Sequence, residues 1–129
     1  GLMEVPLTTI FAGALRRLGR TLHPAAQRMP LLGGVLSHAG LLERIPLTPE
    51  GVGAAEAIRG IDIALADGLP LLVFSFHSPS LTPGHTPYVR SAADLAAFYD
   101  WWRTVFAHLA RRAVAPSSAR DILTSVALA

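Results

Sequence analysis

The 129-residue chain has no cysteine and no lysine. Without cysteine there is no disulfide framework, no thiolate zinc site and no cysteine nucleophile. All eleven basic residues are therefore Arg, set against nine acidic ones. The sequence pI of about 9.9 follows from that excess, because Arg holds its proton to very high pH. The net charge is only +2, and the Arg residues are spread along the chain rather than gathered in a patch. A nucleic-acid partner is not expected from such a pattern. Charged residues make up 16% of the chain, yet no apolar run approaches the roughly 18–20 residues of a membrane span. No signal peptide is visible either. The compartment stays open between cytoplasm and cell envelope.

What is abundant is apolar surface. Half of the residues (51%) are apolar and the mean hydropathy is +0.43. That is high for a free-standing domain of this size. It predicts apolar faces that something else covers, either further chain or a partner. A homo-oligomer formed through uncovered apolar surface is one such arrangement. The opening Gly1-Leu2, directly before an apolar segment, reads as a cut. Residues 1–129 are accordingly expected to form a single, partial domain.

The order of elements predicts α/β architecture. Residues 2–11 are β-prone, with Pro6 confining them to an edge or a strand end. Residues 12–20 show a short helical pattern. Residues 21–40 hold two prolines and paired glycines and read as broken helix at best. Residues 41–46 are short and extended in character. Thr48-Pro49-Glu50 has the composition of a helix start, and Gly68 ends that helix. Leu71 to Phe76 is a nearly continuous apolar run, expected as a buried parallel strand. Residues 78–90 contain three prolines and a glycine and read as a long loop. Ser91 with Asp94 predicts a capping box. It opens a helix whose stripe is Leu95, Phe98, Tyr99, Trp102, Val105, Phe106 and Leu109. Trp101 falls outside that stripe. Ser118 with Asp121 predicts a last short helix. Alternating strands and helices argue for a mainly parallel sheet. Two or three strands cannot close a barrel, so the domain is expected to be incomplete.

The best candidate for chemistry is His77. It follows an apolar strand, where ligand sites of α/β folds lie, and imidazole transfers protons near neutral pH. The alternative is an imidazole that hydrogen-bonds across the strand ends and does nothing more. The loop adds His85, Tyr88 and Arg90 as candidate substrate contacts. His85 is either a loop-ordering or contacting residue or, less in keeping with a proline-rich spacing, a metal ligand together with His77. Ser78 and Ser80 lack the strained elbow of a serine nucleophile. Glu4, in the first predicted strand, points either into a site or into solvent. Asp62 and His108 read as solvated helix positions.

Several stretches carry a family resemblance. Leu-Val-Phe-Ser-Phe-His-Ser-Pro-Ser-Leu, Pro-Gly-His-Thr-Pro-Tyr-Val-Arg and Asp-Leu-Ala-Ala-Phe-Tyr-Asp-Trp-Trp, with Leu-Met-Glu-Val-Pro-Leu-Thr-Thr near the start, resemble the C-terminal region of polysaccharide deacetylases. The branch in question is the WalW-like one of the NodB-homology family. The resemblance implies the C-terminal portion of a deformed (β/α) barrel. It implies a hydrolase of carbon–nitrogen (non-peptide) bonds that removes acetyl groups from sugars. A divalent metal, zinc or similar, would activate water, and His77 would act as general acid. The implied partner is a polysaccharide or acetylated sugar. The family's Asp-Asp pair and His-x-x-x-His metal motif are absent, and no two histidines here stand four apart. The chain alone is therefore expected to bind no metal and to be inactive. The competing expectations are a non-catalytic carbohydrate-binding or assembly module, and a metal-free hydrolase site built from residues 77–90.

Overall fold

A computed structural model describes residues 3–19, 21–22 and 40–127. Two four-residue strands, β1 (Thr9–Ala12) and β2 (Glu43–Pro46), pair antiparallel, with Ile10 opposite Ile45 and Ala12 opposite Glu43. Ile10, Ala12 and Ile45 are buried and Arg44 is exposed, as expected of a sheet covered on one face. The predicted helix at residues 12–20 is represented by a 3-10 turn at Arg16–Leu18. The broken-helix reading of residues 21–40 falls almost wholly outside the described residues.

The covering element is α1 (Ala54–Ala66), which buries Ala57, Gly60, Ile61 and Ala64. Three of these four side chains are small, so the helix axis comes close to the sheet. A β-carbon at Gly60 would sit 3.1 Å from Cγ2 of Ile45. The helix starts later than the Thr-Pro-Glu signal predicts. Thr48 Oγ1 accepts a bond from the Glu50 amide at 3.2 Å and closes a turn instead of capping a helix. Gly51 then adopts φ +86°, which breaks any helical run, and the true N-cap is Gly53. The far end agrees with expectation: Gly68 has φ +72° and donates to the Leu65 carbonyl at 3.1 Å.

The helix α2 (Ala92–Arg111) starts where the sequence places it. Ser91 accepts from the Asp94 amide while Asp94 accepts from the Ser91 amide, a complete capping box. The backbone amide of Arg90, then the groups of Ser91, hold the Asp94 carboxyl below its ordinary range. The buried face is Phe98, Trp101, Val105 and Leu109. This corrects the expected stripe. Trp101, not Trp102, is the core residue, and Tyr99 and Phe106 are exposed. The reason is a hydrogen bond: Trp101 Nε1 donates to the Val52 carbonyl at 2.8 Å, which satisfies both groups inside the core. Asp62 and His108 are corrected as well. Asp62 Oδ1 lies 3.0 Å from His108 Nε2 and 3.6 Å from Arg112 Nε, and so ties α1 to α2. The last helix, α3 (Ala119–Ala127), follows Ser118, whose hydroxyl accepts from the Asp121 amide at 3.2 Å.

Residues 71–76 do not form the expected parallel strand. Val73 and Ser75 bond to the residues that flank the two strands. Val73 accepts from Thr8 N at 3.0 Å and donates to Thr8 Oγ1 at 2.8 Å, and Ser75 donates to the Leu47 carbonyl at 3.2 Å. Leu72 and Phe74 pack against the core, and Phe74 meets both tryptophans edge-on.

The barrel expectation is thus overturned. Among the described residues there are two antiparallel strands and three helices, one of them 20 residues long. A (β/α) barrel needs successive parallel strands joined by helices. No helix among the described residues is long and apolar enough to cross a membrane.

Candidate functional site

Two features stand out: a carboxylate-centred cluster at the base of the 77–90 loop, and an apolar groove at the other end of the 71–76 segment.

The cluster is built around Glu50, which the sequence pattern places at a helix start. Its carboxylate is buried, with the side chain 5% exposed. Oε1 accepts from the His77 amide at 3.0 Å and from the Ser80 hydroxyl at 2.5 Å. Oε2 lies 2.6 Å from His77 Nδ1. An ionised carboxylate only accepts, so Nδ1 holds the proton between them and Nε2 faces outward. The imidazole itself is 78% exposed. Burial pushes the Glu50 carboxyl up, but the bonds from Ser80 and His77 outweigh it and hold the group below its ordinary value. The available signal for this role was Gly51 and Gly53, which leave Glu50 outside the helix.

The same bonds order the loop. Ser80 is fully buried, and its oxygen lies 3.1 Å from the Thr86 hydroxyl. Thr86 Oγ1 accepts from the Val89 amide at 3.2 Å, and Gly84 donates to the Val89 carbonyl at 2.9 Å. Val89 itself is buried. The 3-10 turn Ser78–Leu81 and these bonds turn a proline-rich stretch into a fixed knot. Ser80 points at Glu50 and not at His77, so it is no nucleophile partnered by that histidine.

The other candidate residues do not converge on His77. His85, Tyr88 and Arg90 are exposed, and no hydrogen bond links their side chains to the dyad. The Tyr88 ring lies over Gly51. Arg90 donates its amide to Asp94 at 2.9 Å. Glu4 is exposed in the segment before β1. Among the described residues no group of three His, Cys, Asp or Glu side chains could hold a metal ion, so His77 and His85 are not brought into one there.

The groove has a volume of about 690 Å³. Leu69, Leu72 and Phe74 form one wall, Phe106 and Leu109 of α2 the floor, and Val114 and Ile122 the other wall. Phe106 is 55% exposed and Leu69 41%. Val73 and Ser75 use their polar groups toward Thr8 and Leu47, so those of Leu72, Phe74 and Phe76 point the opposite way. They make no backbone hydrogen bond among the described residues. Leu72 and Phe74 line the groove.

The chain matches no protein-family model, no curated protein and no solved structure. Together with the antiparallel two-stranded sheet and the lack of a metal-ligand group among the described residues, this overturns the polysaccharide-deacetylase resemblance. The hydrolase and metal-dependent readings drawn from it fall too. The quoted motifs are real strings of residues, but they fold into a helix-rich domain.

Proposed function

We propose that the chain is a binding module that accepts an extended apolar polypeptide segment along residues 72–76. The observation that supports this most is that Leu72, Phe74 and Phe76 make no backbone hydrogen bond among the described residues, and that Leu72 and Phe74 also line the apolar groove. Natural sheet edges are blunted by charge, proline or bulges. Residues 71–76 carry neither charge nor proline; Pro70 and His77 merely bound them. Strand addition supplies main-chain bonds for affinity and places alternate side chains in pockets for specificity. The floor residues Phe106 and Leu109 are suited to receive such side chains.

The test is a titration with a synthetic extended peptide, Leu-Leu-Val-Phe-Ser-Phe flanked by Arg for solubility, followed by tryptophan fluorescence. Trp102 contacts Phe106 on the groove floor, so occupancy changes its emission. Phe106→Asp, at an exposed position, is expected to keep the helical circular dichroism and lose binding at least tenfold. Equal binding by Phe106→Asp rules the groove out.

A second reading rests on a different observation, the Glu50–His77 dyad. An imidazole whose Nδ1 is anchored to a buried carboxylate presents Nε2 in one orientation, which suits proton transfer or hydrogen bonding to a bound polar group. His85, Tyr88 and Arg90, on the same loop, would be the contacts of such a ligand. Perturbation of the His77 ring resonances by a ligand, abolished in Glu50→Gln, is the expected signature. Unchanged His77 resonances across a panel of polar ligands remove this reading.

A further inference from the structure

The helix α3 stands at the rim of the apolar groove with most of its own apolar side in water. Resting on the reading of that groove as the site for an extended segment, we infer that α3 is a lid, which rolls inward to lay Leu123 and Val126 against Phe106 and Leu69 and so competes with the incoming segment.

The helix is amphipathic. At about 100° per residue, Ile122, Leu123 and Val126 fall within about a third of its circumference, while Arg120, Asp121, Thr124 and Ser125 take the opposite side. Only Ile122, at one edge of the apolar stripe, lines the groove. Leu123 and Val126 are 54% and 61% exposed. The groove is uncovered as well, with Phe106 55% and Leu69 41% exposed. An inward roll about the edge that is already seated takes apolar surface out of water on both the helix and the groove.

The attachment of α3 permits such a roll. Its side-chain hydrogen bonds are local: Asp121 pairs with Ser118, Thr124 donates to the Arg120 carbonyl and Ser125 to the Asp121 carbonyl. Among the described residues, no hydrogen bond or ion pair ties α3 to anything before Ser118. The end of α2, by contrast, is fixed. Val114 donates to the Leu109 carbonyl at 3.0 Å and Ala113 to the Ala110 carbonyl at 3.1 Å, with Ala113 in left-handed backbone at φ +54°. That turn sends the chain along the groove, which Val114, Ala115 and Pro116 line. Residues 115–117 make no backbone hydrogen bond among the described residues, and the hinge lies there. So short a tether keeps the lid at high effective concentration over the groove, and contacts by two side chains suffice to close it.

The chain has no cysteine, so an engineered pair reports closure without side reactions. Leu69→Cys with Leu123→Cys puts one thiol on the far wall and one on the lid, both at exposed positions. Under mild oxidation its disulfide is expected to form at least ten times faster than that of the control pair, Leu69→Cys with Ser125→Cys, whose second thiol is on the polar side of α3. Equal rates describe a tail that tumbles without a preferred face, and no disulfide in either pair describes a helix that stays open; each overturns the lid. Should a cysteine pair fail to fold, nuclear Overhauser contacts from the methyls of Leu123 and Val126 to the Phe106 ring test closure in the unsubstituted chain, and their absence overturns it. Titration with the Leu-Leu-Val-Phe-Ser-Phe peptide then connects the lid to the site. The oxidised Leu69→Cys, Leu123→Cys chain is expected to bind it at least tenfold more weakly than the reduced one. Equal binding in the two states overturns the competition. Rapid trapping with no peptide binding in either state ends the reading of the groove as a peptide site, while the disulfide still supports the lid.

Discussion

The Glu50 carboxylate reaches across 27 residues of chain to His77, with Oε2 2.6 Å from Nδ1. It takes the Ser80 hydroxyl and the His77 amide on its other oxygen. Three donors thus converge on one buried anion, and the 77–90 loop is pinned to the segment ahead of α1. Glu50→Gln keeps the shape but replaces one acceptor oxygen by a donor. Stability is expected to fall by about 1–3 kcal/mol, the range for stranding a buried polar group. Urea unfolding measures it. An unchanged midpoint, with unchanged amide shifts for residues 77–90, would show that the cluster holds nothing together.

The same group gives a pH dependence. Glu50 titrates lower in the folded chain than its ordinary value of 4.5. Its stabilising contribution is therefore present above that value and is lost as pH falls through the lower folded value. Asp94 and Asp121 are lowered too, and act in the same direction. The decisive quantity is the difference between wild type and Glu50→Gln. Below about pH 4.5 the wild type is expected to lose stability faster and the two curves to converge. Parallel curves down to acid unfolding would mean that Glu50 carries no such linkage.

The sequence made some of this legible. Local signals survived folding: Ser91 with Asp94, Ser118 with Asp121 and Gly68 all sit at helix ends, because capping is decided within a few residues. Non-local features did not. An apolar hexapeptide at 71–76 predicts a buried strand, but Leu71 to Phe74 are only half-buried and Ser75 and Phe76 are exposed, because burial depends on what packs on both sides. Trp101 lies outside the stripe that helical periodicity of apolar residues defines, while its burial goes with a bond to a carbonyl 49 residues away. Glu50 is hidden for the same reason: the partners of its carboxylate, His77 and Ser80, come from the far side of α1. The resemblance to deacetylases rested on short strings, and a string does not fix a fold.

The Trp101 bond can be weighed directly. Trp101→Phe keeps a ring in the core but strands the Val52 carbonyl, which accepts at 2.8 Å in the native chain. A loss of about 1–3 kcal/mol is expected from the unmet acceptor, with lost ring contact in addition. Trp102→Phe, at a half-buried position with edge-on aromatic contacts, is expected to cost less. Thermal unfolding of the two variants gives the comparison. The reverse order would return the core to the stripe that hydrophobic periodicity draws.

Two glycines with left-handed backbone separate strain from collision. Gly13 has φ +97°, and a β-carbon there would lie 2.5 Å from the Gly40 carbonyl oxygen. Gly68 has φ +72° with nothing within 4 Å of its would-be β-carbon. Ala at position 68 therefore adds conformational strain alone, about 1 kcal/mol. At position 13 the same strain is joined by contact with backbone that cannot rotate away, on the peptide that precedes β2. Gly13→Ala is expected to cost at least about 2 kcal/mol more than Gly68→Ala, in the class of large single-site losses tied to backbone effects. Chemical denaturation of both variants tests it. If the two cost the same, the connection of β1 to residues 40–41 is looser than the pairing of Ile10 with Ile45 requires, and the sheet has room to shift.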